Sequence, residues 1–274
     1  MFNILSLGAG VQSSTLAMMY AKKELGPMPN FAVFADTQAE PESVYTWLKW
    51  LKKQLPFPVY TVTKGNLAED SLKIRTNKKT GNKYILNLVP FYLFKDKKPK
   101  GLLIRGCTTD YKINPIIKFI RNKCNIKKGE KEIVVNMLMG ISTDEIIRVR
   151  DSRVPFIKNK YPLIENNISR NDCLNWFKKN NLSTPPRSAC IFCPYHSNSF
   201  WRDQRKNHPK DFKKAMDYEK QAKITYKIIL ENRKSYGKNY DVSLHSSGNL
   251  EDFDENESKQ LDLFDRDCEG MCGV

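Results

Sequence analysis

The sequence lacks any apolar run near the roughly 18 residues that a membrane-spanning helix needs. Its amino terminus also lacks the basic segment, apolar core and cleavage site of a secretory signal peptide. No internal repeat is present. These absences predict a cytoplasmic globular protein with no membrane association, and 274 residues are enough to bury a substantial core.

The sequence also predicts no disulfide framework, because the seven cysteines would lie in a reducing compartment. Spacing must then decide what the thiols do. Cys190 and Cys193 form a CxxC pair, which fits two metal ligands, a redox dithiol or a structural turn. Cys124 falls in a helical pattern and is most simply a small buried apolar residue.

Acidic residues are scarce outside one segment near the end of the chain. The sequence has 46 Lys and Arg against 30 Asp and Glu, a net charge of +16. Residues 251–269 hold nine acids and two bases, a charge of −7, which leaves +23 for the rest. An excess of this size favours a polyanionic partner such as DNA or RNA. A Lys- and Asn-rich composition that reflects the base composition of the genome is the alternative.

The first 62 residues alternate between short apolar runs and amphipathic helical patterns. This rhythm predicts an α/β fold, a Rossmann-like parallel sheet with helices on both faces. The predicted strands are NILSL, FAVFAD, PVYTVT and EIVVNMLMGI, and the predicted helices begin at Ser13 and about Glu40 and cover 114–123, 170–180 and 209–234.

Changes in composition predict the domain organisation. Residues 1–197 form the α/β domain, interrupted at about 64–104 by a basic loop or hairpin that contains RTNKKTGNKY and FKDKKPKG. Residues 198–250 form a helical extension, so that the later part of the chain is helical and rich in cysteine. Residues 251–274 form a flexible acidic tail that contains cysteine.

The turn after the first strand matches neither GxxxxGK[ST] nor GxGxxG, yet SLGAGVQSST has the layout strand, Gly-rich turn, helix. In such a turn, backbone N–H groups and the positive helix end can approach a phosphate. Glycines would permit the close approach and serines could cap the helix or donate to phosphate oxygens. A tight turn that merely needs glycine is the alternative. The candidate binding residues are Ser6, Gly8, Ala9, Gly10, Gln12, Ser13 and Ser14.

The stretch GAGVQS resembles the pyrophosphate-binding loop SGGxDS of the adenine nucleotide alpha hydrolase (PP-loop) superfamily. Gln12 stands where that loop usually has Asp. The phosphoadenylyl sulfate (PAPS) reductases within the superfamily tend to show G-x-Q at this place, as in Gly10, Val11 and Gln12.

Four further segments resemble PAPS reductase motifs in the same order, so that the similarity extends over residues 4–196. FADTQAEPESVYTWLKWL is similar to the segment with Asp-Thr-Gly and Pro-Glu-Thr, and GCTTDYKINPI to Cys-Cys-x-x-Arg-Lys-x-x-Pro-Leu. GISTDEIIRVR is similar to Gly-x-Arg-x-x-Glu-Ser-x-x-Arg. YPLIENNISRNDCLNWFKKNNL is similar to the family's Pro-Leu segment with its helix, and SACIFCPYH is similar to the paired cysteines that follow that helix.

The resemblance implies that an adenine nucleotide, ATP or PAPS, places its phosphates on the turn at residues 8–14. Asp36 and Thr37 would face the adenosine, and Gly140 belongs to the same site. Lys112 and Arg148, together with Arg105, would neutralise phosphate or sulfate oxygens. A solvated surface charge is the alternative for each basic residue.

The resemblance also places Cys107 near Cys190 and Cys193, and Cys173 lies 17 residues before the pair. Four thiolates would suit a 4Fe-4S cluster or, as the alternative, a tetrahedral zinc ion; plain thiols remain a third possibility. The family's second cysteine after Cys107 is missing here. Cys173 is therefore inferred as the fourth ligand, with His196 as a substitute.

The segment CEGMCGV places Cys268 and Cys272 in the acidic tail. Assimilatory reductases of the family carry a nucleophilic cysteine in such a tail, which implies a catalytic thiol that a reductant such as thioredoxin restores. The His that follows Cys-Gly in the family is absent. Incidental exposed thiols or additional metal ligands are the alternatives.

An apolar pentapeptide, QLDLF, precedes these cysteines and is similar to the motif by which bacterial replication proteins bind the sliding clamp. Apolar residues in a charged tail are costly to expose unless something covers them. The predicted contacts are Gln260, Leu261, Leu263 and Phe264. The alternative is that the tail folds back onto its own domain.

Three functions follow from these features. The first is a nucleotide-dependent enzyme, a sulfurtransferase or ATP pyrophosphatase, that carries out thiolation-type chemistry on a nucleic acid such as DNA or tRNA. The second is a thioredoxin-dependent reductase that forms sulfite from PAPS or adenylyl sulfate. The third is a nucleotide-binding adaptor without catalysis that associates with the clamp.

Overall fold

The computed structural model describes residues 1–86, 88–231 and 239–253. They form two compact units. The first comprises Met1–Lys64 and Thr108–Ala189, and the second comprises Gly65–Cys107 and, among the described residues, those between Cys190 and Phe253. The second unit thus joins two stretches that are distant in sequence: the basic insert and the segment that begins with the CxxC pair.

The described strands, in chain order, are β1 (Phe2–Ser6), β2 (Phe31–Asp36), β3 (Val59–Thr63), β4 (Arg75–Thr76), β5 (Lys83–Tyr84), β6 (Tyr92–Lys95), β7 (Lys98–Leu102), β8 (Val135–Met139), β9 (Ile157–Lys160) and β10 (Tyr240–Ser243). The α-helices are α1 (Val11–Ala21), α2 (Glu42–Gln54), α3 (Leu67–Leu72), α4 (Asn114–Lys123), α5 (Pro162–Glu165), α6 (Arg170–Lys179), α7 (Asn198–Asn207) and α8 (Pro209–Glu231). A π-helix covers Thr108–Ile113, and 3-10 helices cover Thr143–Arg148 and Leu250–Asp252.

The first unit is built on a five-stranded sheet in the order β3-β2-β1-β8-β9. Every adjacent pair is parallel. The predicted Rossmann-like α/β fold is therefore confirmed. Because the strands run in the same direction, the carboxyl ends of β1, β2 and β8 meet at one edge of the sheet, where ligands bind in open parallel sheets.

Alternate residues of the strands pack into two separate cores. Leu5 of β1 and Phe34 of β2 belong to a cluster with α1, α2 and α6. Their neighbours Ile4 and Val33 belong to a second cluster with α4. This alternation follows from the period of two in a strand, and it requires helices on both faces of the sheet.

The predicted helix limits agree with the structure to within about two residues, apart from the end predicted at residue 234, which lies outside the described residues. The limits predicted for the helix at 114–123 are confirmed, and α6 ends one residue before the predicted position. Helix α1 begins at Val11 rather than Ser13, because Gly10 already adopts the extended N-cap conformation. Helix α8 begins at the predicted Pro209.

The second unit contains a three-stranded antiparallel sheet in the order β10-β6-β7. Strands β6 and β7 form a hairpin whose turn residues, Asp96 and Lys97, both have positive φ, as a tight two-residue hairpin turn requires. Helix α8 packs against β10. The buried carboxylate of Glu219 on α8 accepts hydrogen bonds from the Ser243 hydroxyl and from the Leu244 amide.

None of the helices within the described ranges has the length and apolar character that crossing a membrane requires.

Candidate functional site

A short turn connects β1 to α1 at the carboxyl edge of the parallel sheet. Strand β1 ends at Ser6, and Gly10 is the N-cap of α1. The Gly8 amide donates to the Ser13 hydroxyl oxygen across the turn at 3.2 Å. The first amides of a helix have no acceptor within the helix, so this end attracts anions. The turn therefore offers backbone amides of the kind that can bind a phosphate, and its phosphate-binding role stays a prediction.

Ala9, in the middle of this turn, has a φ of 60°. The left-handed region costs a non-glycine residue about 1 kcal/mol or more, so contacts around the turn must impose this conformation. One such contact is the hydroxyl of Ser188, which donates to the Gly8 carbonyl oxygen. The shape of the turn is thus set by the protein itself.

Gly140, directly after β8, lies against the start of α1. A Cβ atom at this position would lie 2.7 Å from Cα of Ser13 and 2.8 Å from its backbone nitrogen. Side chains do not tolerate such distances to backbone atoms, and any residue larger than glycine would push the first turn of α1 out of place. Gly140, which was predicted to belong to the site, therefore packs directly against the start of α1.

Lys112 and Glu40 form a buried ion pair beside the turn. The Lys112 ammonium is 3.4 Å from Glu40 Oε1, and both residues are only 6% exposed. The other carboxylate oxygen of Glu40 lies 3.4 Å from the Ser188 hydroxyl, which donates to the Gly8 carbonyl. A chain of contacts therefore connects the ion pair to the loop, and Lys112 belongs to the support of the loop.

Gln12, the second residue of α1, connects two further elements through its side-chain amide. Its nitrogen donates to Glu145 at 3.2 Å, and its oxygen accepts from the guanidinium of Arg170 at 2.7 Å. Glu145 also pairs with Arg148, three residues further along the 3-10 helix. Two arginines and one carboxylate therefore surround the first turn of α1, and guanidinium groups are well suited to binding phosphate or sulfate oxygens.

Asp36 and Thr37 follow β2 at the same edge of the sheet. Asp36 Oδ1 accepts from the Tyr45 hydroxyl and from the Gln38 amide, both at 2.8 Å. Burial, followed by the hydrogen bond to Asp36, raises the pKa of Tyr45 well above its ordinary value, so the phenol remains a proton donor at neutral pH. Thr37 is buried. The predicted adenosine role of this pair stays a prediction.

Ser14 is held from the opposite side of α1. Its hydroxyl oxygen accepts from the indole N–H of Trp47 at 2.9 Å, and both residues are buried. Trp47 in turn contacts Trp50 and Phe177 edge to face or tilted. The aromatic core of the unit thus fixes the orientation of a serine in the first turn of α1.

The cysteines predicted to bind a metal lie in different surroundings. Cys173 on α6 is fully buried in the apolar cluster of the first unit with Leu163 and Phe177. Cys107, Cys190 and Cys193 belong to the second unit. Burial raises the pKa of Tyr218 well above its ordinary value, and the thiols of Cys107 and Cys190 add to this, which indicates that both lie close to that phenol.

The CxxC segment forms a tight turn in which the Cys193 amide donates to the Cys190 carbonyl at 3.0 Å. Nε2 of His196 lies 2.8 Å from the same carbonyl oxygen. Since a carbonyl only accepts, this ring nitrogen carries the proton. The ring also stacks on Phe200, with centroids 3.5 Å apart. His196 therefore stabilises the turn through Nε2.

Within the described ranges, no three Cys, His, Asp or Glu side chains are grouped in a way that would hold a metal ion. The iron–sulfur or zinc site predicted at Cys107, Cys173, Cys190 and Cys193 therefore stays a prediction.

Several predicted residues lie elsewhere. Cys268 and Cys272 lie outside the described residues, as do Gln260, Leu261, Leu263 and Phe264 of the predicted clamp motif. Arg105 belongs to the second unit, where its guanidinium lies 5.3 Å from the ring centre of Tyr195.

The first unit does bring together most of the other predicted site residues. The turn, Asp36 and Thr37 follow β1 and β2 at the carboxyl edge, Gly140 packs on Ser13, and Arg148 pairs with the Gln12-bound Glu145. The sequence analysis missed three participants: Glu40, Arg170 and Ser188. Only the SRNDC segment offered a signal, since a Ser three residues before Asp predicts a helix start at which Arg170 is the first residue.

Neither a protein-family model nor a curated protein matches this chain. Among solved structures, it is similar to phosphoadenylyl-sulfate (PAPS) reductase from Candida auris in a phosphate complex, with 14% identity, a TM-score of 0.42, and 68% of this chain and 75% of that one covered. It is also similar to the U34-tRNA thiolase NcsA from Methanococcus maripaludis with its [4Fe-4S] cluster, with 14% identity, a TM-score of 0.39, and 80% and 70% covered.

Proposed function

We propose that this chain is an enzyme that binds an adenine nucleotide on the turn before α1 and uses it for sulfur chemistry on a nucleic acid. The observation that carries the proposal is the geometry of the turn. It joins the positive end of α1 to a backbone held by Ser13 and Ser188, and Gly140 leaves no room for any side chain behind it.

The charges around the turn support a polyphosphate ligand. Arg148 and Arg170 are half-buried and hydrogen-bonded, so their guanidinium groups are oriented before a ligand arrives. Glu145 contacts both Arg148 and the Gln12 amide, and its carboxylate balances the charge of Arg148 in the absence of an anion. Phosphate groups at this position would compete with Glu145 for the same donors, which favours a ligand with several negative charges.

The resemblance of five sequence motifs to PAPS reductases supports the sulfur chemistry, and the charge of +23 outside the acidic segment supports the nucleic acid substrate. In this proposal an oxygen of the nucleic acid attacks the α-phosphate of ATP and displaces pyrophosphate, and a sulfide-level sulfur donor then displaces AMP from the adenylylated nucleic acid. The proposal assigns no step to a metal ion.

Calorimetry and a pyrophosphate assay test the proposal. ATP is expected to bind the protein with measurable heat, and pyrophosphate is expected to appear from ATP only when DNA or RNA is added. Mass spectrometry of nucleosides from cells with and without the protein would then identify the modified base or backbone. No heat with ATP or with sulfated adenylates would overturn the proposal.

A second function is favoured by one observation, the glutamine at position 12. The loop of ATP pyrophosphatases usually has Asp there, and the resemblance to PAPS reductases includes the Gln. The alternative is therefore reduction of PAPS or adenylyl sulfate to sulfite with thioredoxin as the electron donor and Cys272 or Cys268 as the nucleophile. Sulfite formation in the presence of thioredoxin, without nucleic acid, would support this alternative instead.

Binding to a sliding clamp through Gln260, Leu261, Leu263 and Phe264 stays a prediction, and a protein that is inert in both assays would fit the adaptor role. Loss of clamp binding in the double variant Leu263→Ala, Phe264→Ala would support that role.

A further inference from the structure

The hairpin formed by β4 and β5 lies in the most basic part of the second unit. Residues 71–95 contain six Lys and Arg and no Asp or Glu. The two strands form a two-stranded sheet, in which Arg75 pairs with Tyr84 and Thr76 pairs with Lys83. Residues directly opposite each other share a face, and successive residues alternate between faces. One face of the hairpin therefore carries Arg75 and Tyr84, and the other carries Thr76 and Lys83.

The face with Arg75 is directed toward α3. The Arg75 guanidinium lies 4.0 Å from the carboxylate of Asp70 and donates to the Asp70 carbonyl oxygen at 3.5 Å. Arg75 and Tyr84 are half-buried, whereas Thr76 and Lys83 are exposed. The face with Thr76 and Lys83 is therefore the one that a partner can reach.

Asn77 fixes the turn that joins the two strands. Its side-chain oxygen accepts from the amides of Lys79 and Thr80 at 2.9 and 3.2 Å. Its carbonyl oxygen accepts from the Gly81 amide at 2.8 Å, and its amide donates to the Asn82 carbonyl at 2.9 Å. Gly81 has a φ of 71°, a conformation that glycine adopts at low cost. The backbone at the tip of the hairpin thus has a defined shape before any partner binds.

Four lysines on or next to this hairpin are exposed: Lys73, Lys78, Lys79 and Lys83. Within the ranges that the structure describes, none of the four has a carboxylate at ion-pair distance. On α8 of the same unit, by contrast, three lysines have carboxylate partners: Lys214, Lys220 and Lys223. The positive charge of the hairpin is therefore not balanced locally.

This lack of balance favours a polyanionic partner. Lys78 and Lys79 are adjacent in the turn and Lys83 begins β5, so three ammonium groups are concentrated at one end of a short hairpin. Like charges repel each other, and a row of phosphates would replace that repulsion by attraction. Binding would also release the counterions condensed on a nucleic acid, which is the main source of affinity for its backbone.

The composition of the hairpin favours a duplex over a single strand. Residues 73–83 contain no aromatic residue, and Tyr84 lies on the face directed toward α3. Binding of single strands usually depends on aromatic rings that stack on unpaired bases. Contacts to phosphates need no ring, and the major groove of B-form DNA is wide enough to admit a two-stranded ribbon.

We propose that the β4–β5 hairpin binds the phosphate backbone of a duplex nucleic acid, with Lys78, Lys79 and Lys83 in contact with phosphates. The hydroxyls of Thr76 and Thr80, also exposed, are further donors for phosphate oxygens on this surface. The inference deepens the proposed function, since it names the form of the nucleic acid and the element that binds it.

Fluorescence anisotropy without nucleotide measures this binding directly. The labelled probes are a DNA duplex of about 20 base pairs, roughly two helical turns, an RNA duplex of the same sequence and one of the DNA strands alone. The test variant removes three charges from the hairpin: Lys78→Ala, Lys79→Ala, Lys83→Ala. It is expected to bind duplex DNA at least tenfold more weakly. The slope of log K against log salt is expected to fall by about 2.7, because three phosphate contacts are lost.

A matched control removes three charges from exposed positions on α7 and α8 of the same unit: Lys206→Ala, Lys210→Ala, Lys213→Ala. It is expected to change the affinity for duplex DNA less than threefold. Replacement of the three hairpin lysines by arginine keeps the charge and is expected to keep the affinity within threefold of the native value. Circular dichroism and urea unfolding show that each variant is folded, and the alanine variant of the hairpin should be at least as stable as the native protein because it removes repulsion.

Three results would overturn the inference: equal losses in the two alanine variants, tighter binding of the single strand than of either duplex, or unchanged affinity in the hairpin variant. Binding of either duplex with the expected loss supports it, and the preferred duplex identifies the sugar. The inference and the proposed function fail separately. A protein that releases no pyrophosphate can still bind a duplex through the hairpin, and loss of hairpin binding leaves the heat of ATP binding unchanged.

Discussion

Arg170 and Gln12 are 158 positions apart in the chain, yet the Arg170 guanidinium donates to the Gln12 side-chain oxygen at 2.7 Å. Gln12 is at the start of α1 and Arg170 is the first residue of α6, so the contact joins the amino ends of two helices. Such ends carry partial positive charge. The amide of Gln12, which accepts from Arg170 and donates to Glu145, is neutral and suits a position between groups of opposite charge.

Gln12→Glu is expected to weaken nucleotide binding at least tenfold. The new carboxylate would stand where the amide nitrogen now lies, 3.2 Å from Glu145, and it would repel both that side chain and any polyphosphate. Calorimetry with ATP and with PAPS gives the affinities. The matched control is Gln221→Glu, an exposed position on α8. Unchanged affinity in the Gln12 variant would mean that the ligand binds elsewhere.

Gly140→Ala is expected to destabilise the protein by about 1–3 kcal/mol, because the methyl group would overlap the Ser13 backbone. Nucleotide affinity is expected to fall with it, since the first turn of α1 must move. Urea unfolding and calorimetry measure the two effects. Gly26→Ala serves as the control, because nothing lies within 4 Å of a Cβ at that position. If the Gly140 variant is as stable as the native protein and binds nucleotide equally well, Gly140 does not support the first turn of α1.

Ser14→Ala is expected to cost about 1–3 kcal/mol, the penalty for a buried donor without an acceptor, because the Trp47 indole N–H loses its partner. The cycle with Trp47→Phe isolates this interaction. In the phenylalanine background no N–H remains, so the serine substitution should cost much less. Additive losses in the double variant would show that the two side chains do not interact.

Removal of one member of the buried pair Lys112 and Glu40 is expected to cost about 3–5 kcal/mol, because an uncompensated charge then stays buried. Lys112→Met and Glu40→Gln are the single variants. The double variant should lose less than the sum of the two, since it leaves no lone charge. Urea unfolding measures the loss of stability in each variant. A loss in the double variant that equals the sum of the two single losses would exclude a tight ion pair.

We expect the stability of the protein to depend on pH through Asp172, which belongs to the capping box of α6. Hydrogen bonds from the Ser169 hydroxyl and amide lower the pKa of its carboxyl, so the folded state binds this proton less readily than the unfolded state. The stabilisation is present above the unfolded pKa and is lost as the pH falls through the folded one. The stability difference between the native sequence and Asp172→Asn should therefore be larger at pH 7 than at about pH 3. A difference independent of pH would contradict this.

The sequence predicted the parallel sheet and its helices well because their signals are local. The apolar runs of β1, β2 and β8 and the amphipathic pattern of α4 need only neighbouring residues to be recognised. The hairpin of the basic insert was also predicted in outline. The pairing of that hairpin with β10 was not, since a four-residue strand at residues 240–243 carries little pattern of its own.

Contacts within the site were harder to predict, because they join residues that are far apart in the chain. The resemblance placed Lys112 on a phosphate, whereas the structure buries its ammonium against Glu40. Motif matching had no reason to single out Glu40 or Ser188. A buried thiol and a metal ligand look alike in a sequence; Cys173 is buried in one apolar cluster with Leu163 and Phe177, and its role as a ligand stays a prediction.

The pairing of β10 with β6 can form only late in the synthesis of the chain. About 145 residues separate Tyr240 from its partner Lys95. At ribosomal rates of about 5–20 residues per second, the strand that completes the sheet of the β6–β7 hairpin is synthesised roughly 7–30 s after β6. During that interval one edge of β6 is open to other chains, and the lysines of the hairpin would limit aggregation of the nascent protein.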